Sequence, residues 1–182
     1  MARQTNNKLP MKRLFAAALS CLLVQTVCSA QPDADALVKV GDAAPAFSLT
    51  TTDGAAISTD QAKGKLVLVN FFATWCGPCM EEMPHLEADI WQKFKDRGLV
   101  MVAVGREHSN EELARFKAEK KLSLNIAGDP KREVYAKFAR QYIPRNFLIG
   151  PDGKILFASV GFTDREFKEL ITLIDGELSK GK

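Results

Sequence analysis

Trp75-Cys76-Gly77-Pro78-Cys79 constrains the fold of this 182-residue chain more than any other stretch, because of what stands on either side of it. Before it, Lys65 to Phe72 is a nearly continuous β-favouring run, the pattern of a central strand covered on both faces. After it, Met83, Leu86, Ile90 and Phe94 recur at helical spacing until Gly98 supplies a stop, and Pro84 predicts a kink. The first turn of a helix has unpaired N–H groups and a partial positive charge, and both favour a thiolate. Cys76 is therefore expected to be acidic and nucleophilic. With two residues between them the sulfurs can close a disulfide, so Cys76 can attack a substrate disulfide and Cys79 can resolve the mixed disulfide. Two plainer readings compete. A structural disulfide across so short a loop removes little unfolded-state entropy, and a zinc site normally needs four ligands, with only His85 and His108 left to add.

The remaining pattern alternates strand and helix. Phe47 to Leu49 and Ala55 to Ile57, separated by Asp53-Gly54, predict a small hairpin ahead of the main sheet. Leu99 to Val104 predicts a second buried strand, and Ser109 with Glu112 resembles a capping box opening a helix with Leu113 and Phe116. Leu124 to Ala127 is a short third strand, and Asp129-Pro130 predicts an N-cap for a helix bearing Val134, Tyr135 and Phe138. Pro151-Asp152-Gly153 joins two further strands as a tight hairpin. Thr163 and Glu166 cap a last helix with Phe167, Leu170, Ile171, Ile174 and Leu178 on one stripe. The expected class is α/β: a central mixed sheet with helices on both faces.

Residues 1–30 carry Arg3, Lys8, Lys12 and Arg13 without an acid, then an apolar run from Leu14 to Val27 and the small residues Ser29 and Ala30. This is the pattern of a secretory signal peptide, with cleavage expected after Ala30. Met11 is an alternative start. About 14 apolar residues fall short of the ~20 that span a bilayer, which disfavours an uncleaved anchor. Lipidation at Cys21 would leave Leu22-Leu23-Val24 at the mature N-terminus, which disfavours a lipid-tethered form. Residues 31–40 read as a linker and 41–182 as one domain. An exported, periplasmic form would retain Cys76 and Cys79 alone in a disulfide-permissive compartment. The net charge of +3 does not point to nucleic acid.

Three stretches carry a resemblance: Gly41-Asp-Ala-Ala-Pro-Ala-Phe47, Asn70 through Leu86 around the two cysteines, and Ile143-Pro144 ahead of Asn146-Phe147-Leu148-Ile149. Over residues 41 to 180 the chain resembles the TlpA/ResA-type exported thiol-disulfide oxidoreductases of the thioredoxin fold. The resemblance implies that the segment near 110–127 is a central helix–strand insertion. It also implies a reducing role outside the cytoplasm on disulfide-containing exported proteins, apocytochrome c among the candidate classes. No motif for NADPH or flavin is present, so the Cys76–Cys79 couple would receive electrons from a membrane thiol-transfer protein.

Further roles follow from the same comparison. Asn70 stands where thioredoxin has a buried acid, so Glu82, three residues after Cys79 and on the same helical face, is the candidate for handling the proton of Cys79. Ile143-Pro144 resembles the cis-proline loop that pairs with substrate backbone. Trp75, Gly77 and Pro78 are expected to offer contact surface. Arg145-Asn146 stands where thioredoxins often have Thr and another small residue, and Arg145 reads as a cation near the thiol, a contact for an acidic partner, or an ordinary exposed arginine. Glu81, Met80, Met83, Trp91, His85, His108 and the Lys117 to Lys121 cluster read as packing or surface residues. Two other functions are carried: a thiol peroxidase, since residues 41 to 47 also resemble peroxiredoxins, and a copper-delivery module on the same fold, against which the two-residue cysteine spacing counts.

Overall fold

The computed structural model describes residues 1–2 and 33–180, so the expected signal peptide, Cys21 and Cys28 lie outside the described residues. The chain divides into two units, Met1–Pro32 and Asp33–Lys182, and the fold is that of the second. No helix among the described residues is long and apolar enough to cross a membrane.

The hairpin forms as its turn signal predicts, from β1 (Ser48–Thr50) and β2 (Ala56–Ser58). The main sheet is built around β3 (Val67–Phe72), every residue of which is buried. β3 runs parallel to β4 (Val100–Arg106), which runs parallel to β5 (Ile126–Asp129) at one edge. On its other side β3 pairs antiparallel with β6 (Arg145–Ile149), and β6 with β7 (Ile155–Val160), giving the order β5-β4-β3-β6-β7.

Alternation along β3 divides the core. Leu68 and Phe72 join α1 (Gly77–His85), α3 (Asn110–Lys120) and α5 (Asp164–Lys180) on one face. Val67, Val69 and Phe71 pack against the hairpin and the short α4 (Tyr135–Phe138) on the other. Pro84 falls inside α1, and beyond it the helix continues as a π-helical stretch, Leu86–Trp91, then α2 (Gln92–Phe94) and a final 3₁₀ turn, Lys95–Arg97, ended by Gly98 at φ 99°. A proline removes one donor of the helical ladder, and a wider turn next to it absorbs the mismatch.

Four readings change. Asp129 is the last residue of β5 rather than an adjacent N-cap: Pro130 to Glu133 form turns, and its carboxylate reaches over them to accept the N–H groups of Val134 and Tyr135. Residues 33–40 are docked rather than loose, with the Leu37 N–H on the Phe138 carbonyl and the Arg140 N–H on the Asp35 carbonyl. Lys117 is only 13% exposed and pairs with Asp53 of the hairpin, so it is not a freely solvated lysine. Arg145 is buried and ion-paired with Asp33.

Candidate active site

At the C-terminal end of the central strand β3, Ala73 closes a turn with Cys76, and α1 begins at Gly77. Cys76 is thereby the N-cap residue of α1, and Pro78 sits in the first turn, where its missing N–H costs nothing. Cys76 and Cys79 are joined in a disulfide with their Cα atoms 5.3 Å apart. The Cys79 N–H points at the Cys76 sulfur, 3.3 Å away, a donor of the kind that stabilises a thiolate at a helix N-terminus. The two cysteines are unequal: both are buried, but Cys79 is 1% exposed and Cys76 6%, with exposed Trp75, Gly77 and Pro78 around it.

The Ile143–Pro144 peptide is cis, and the Ile143 carbonyl oxygen lies 3.7 Å from the Cys76 sulfur. Neither the N–H nor the carbonyl of Ile143 has a backbone partner among the described residues. Pro144 is not free in the same way, since its carbonyl accepts the Gly161 N–H.

Behind the disulfide Glu82 is buried, one turn along α1 from Cys79. Asn70 of β3 and Asn146 of β6, opposite each other in the sheet register, both donate to its carboxylate, Asn70 to Oε2 at 3.0 Å and Asn146 to Oε1 at 2.6 Å. A third bond ties the two amides together, from Asn70 Nδ2 to Asn146 Oδ1 at 2.9 Å. Burial pushes the Glu82 carboxyl up to about 7, with the two amide donors opposing. A void no larger than about one water, lined by Glu82, Asn146, Ser159, Thr163 and Glu166 among others, lies between this carboxyl and α5.

Sequence reasoning took Asn70 only as a residue that cannot be a base and gave Asn146 no role. The available signal was an asparagine within the apolar run of β3 and another directly ahead of the apolar run Phe147–Ile149 of β6, each of which demands polar partners when buried. His108 was also passed over. It is buried, and its Nε2 accepts the Thr74 N–H at 3.1 Å, bracing the approach to Trp75 and Cys76. His85 pairs with Asp89 on the helix surface, and Glu81 is exposed, as expected. Among the described residues no three His, Cys, Asp or Glu side chains gather as a metal ligand set.

Fold and site together define a thioredoxin-fold thiol-disulfide oxidoreductase. The chain belongs to the AhpC/TSA family, whose profile matches residues 40–158, and groups with the ResA-type thiol-disulfide oxidoreductases. It is 32% identical over 163 residues to thiol-disulfide oxidoreductase ResA of Bacillus subtilis, covering 88% of this chain and 90% of that one. The Bacillus anthracis ResA is 30% identical over 129 residues, 71% of this chain and 74% of that one. A solution structure from Bacteroides thetaiotaomicron superposes with a TM-score of 0.77 at 33% identity, over 81% of this chain and 94% of that chain. The thioredoxin domain of a thiol-disulfide oxidoreductase from Bacteroides vulgatus gives 0.64 at 25% identity, over 75% and 99%.

Proposed function

We propose that this protein is an exported reductase of protein disulfides, with Cys76 as nucleophile, Cys79 as resolving thiol and Glu82 as the base that takes the Cys79 proton. The observation that carries this reading is the placement of Cys76, the less buried of the two cysteines, at the start of α1, beside the unpaired Ile143 backbone, with Cys79 and a carboxyl pushed up to about 7 buried behind it. The Cys76 thiolate attacks one sulfur of the substrate disulfide, a mixed disulfide forms, and the first substrate sulfur leaves as a thiolate that takes up a proton. Cys79 gives its proton to Glu82 and attacks the Cys76 sulfur, which breaks the mixed disulfide and releases the second substrate thiol. Two electrons pass to the substrate and the Cys76–Cys79 disulfide is restored. A base near 7 suits this step, since it accepts a proton from a thiol and releases it again at neutral pH.

Trp75, Gly77 and Pro78 would form the contact surface, and the Ile143 N–H and carbonyl would pair with an extended substrate segment next to Pro144. The disulfide-containing substrates are exported proteins, with apocytochrome c one class that the ResA-type resemblance suggests, and a membrane thiol-transfer protein returns the electrons. The test is trapping. Cys79→Ser should accumulate a mixed disulfide through Cys76 with a reporter protein disulfide, and Cys76→Ser should not; equal trapping by both variants would overturn the assignment. A thiol peroxidase is the other reading that the family match brings. It predicts rapid Cys76-dependent consumption of hydrogen peroxide, whereas the reductase predicts slow consumption.

A further inference from the structure

The backbone at Tyr142 is held in a conformation that a tyrosine does not favour. Its φ is 67°, in the left-handed region where a bulky side chain is strained, yet the residue is 60% exposed and so gains little from the core. The surroundings impose this geometry. The Tyr142 carbonyl accepts the Tyr135 hydroxyl at 2.7 Å and the Arg145 Nε–H at 3.2 Å, and the same Nε–H lies 2.9 Å from the Gln141 carbonyl. Arg145 is 1% exposed and its charge is balanced by Asp33, more than a hundred residues away in the chain. A buried cation, a buried phenol and the docked N-terminal segment thus all act on one exposed aromatic residue.

Its position explains what the ring can do. The next residue is Ile143, whose carbonyl faces the Cys76 sulfur. On the other side Trp75 precedes Cys76 and is 62% exposed; these two are the exposed large aromatics among the described residues. One line of contacts joins them: the Arg106 guanidinium lies 5.5 Å from the Trp75 ring and 5.2 Å from the Tyr135 ring, and the Tyr135 hydroxyl reaches the Tyr142 carbonyl. Exposed aromatic rings on the two segments that flank a reacting sulfur offer apolar contact area at low cost in side-chain entropy.

We propose that Tyr142 is a specificity-determining residue for polypeptide substrates and favours a bulky apolar side chain next to the substrate's reacting cysteine; the proposal rests on the exchange reading of Cys76. Glu107, Lys121 and Arg132 also have positive φ, so the exposure and placement of the ring carry the proposal rather than the strain, which glycine would relieve at once.

The experiment uses the reduced protein and three disulfides: two peptides of equal length and charge, one with Leu and Phe beside its cysteine and one with Gly and Ser there, and bis(2-hydroxyethyl) disulfide. Wild type should reduce the Leu/Phe peptide with the higher kcat/KM, by about tenfold, the order expected for one buried apolar contact. In Tyr142→Gly that ratio should fall to about one while the urea midpoint stays at or above wild type, because glycine adopts φ 67° freely. Tyr142→Phe should keep the ratio. An unchanged ratio in Tyr142→Gly, or equal loss on both peptides, would overturn the proposal with the exchange chemistry intact. Failure of wild type to reduce bis(2-hydroxyethyl) disulfide would instead overturn the exchange reading and the proposal with it.

Discussion

Replacing Glu82 with glutamine should stabilise the oxidised protein in alkaline solution and not in acid. The Glu82 carboxyl sits at about 7 in the fold against an ordinary value of 4.5, because burial penalises the charged form more than Asn70 and Asn146 repay. The folded state therefore holds a proton that the unfolded chain has already lost between these values, and stability falls as pH rises through that window. The shift corresponds to about 3 kcal/mol in full, of which about 2.5 kcal/mol develops between pH 5 and pH 8. A glutamine amide at this position carries no charge in either state, so urea unfolding of both oxidised proteins at pH 5, 6, 7 and 8 isolates the effect of this one carboxyl. The stability of Glu82→Gln relative to wild type should climb by about 2.5 kcal/mol across the series, with equal m-values. Parallel pH profiles would mean that Glu82 is ionised in the fold at pH 5 and has no proton to release near neutrality.

Asn146→Leu removes the shorter of the two donors to Glu82, so the carboxyl should titrate above 7 and the pH profile of disulfide exchange should move upward; an unmoved profile would disconnect this amide from the reaction. Asp33→Asn leaves the Arg145 guanidinium buried without its counter-charge, and urea unfolding should show a loss of about 2 kcal/mol, less than for a fully buried pair because Asp33 is partly exposed. His108→Phe leaves the Thr74 N–H without its acceptor and should cost about 1–2 kcal/mol in the same assay and slow exchange through Cys76; unchanged exchange would separate this brace from the positioning of the sulfur.

The strands and helices of the core were legible because their periodicity is strong: Lys65 to Phe72 could be little else than a covered strand, and the Ser109–Glu112 capping box forms in full, whereas at α5 the Thr163 hydroxyl accepts the Glu166 N–H and donates to its carboxylate without the reciprocal backbone bond. The cysteine pair was legible from its place between strand and helix. What sequence could not reveal depended on contacts between distant residues. Arg145 gives no local hint that Asp33 will cover it, and Asn146 acquires its partner only when β6 aligns opposite β3. Asp129 looked like a neighbouring N-cap because Asp-Pro often opens a helix, but the β5 ladder holds its backbone and only its side chain reaches α4. Tyr142 carried no signal, because a left-handed backbone is announced in sequence by glycine or asparagine and this site has neither.

The central claim is that the Cys76–Cys79 couple works as a reductant. Its reduction potential, measured by equilibrating the mature domain with dithiothreitol or glutathione and quantifying free thiols, tests this directly. The account predicts a value near that of thioredoxin, about −270 mV, so that the dithiol must be kept reduced by an electron donor and then reduces its substrates. A value near −120 mV would contradict it and make the protein a donor of disulfides.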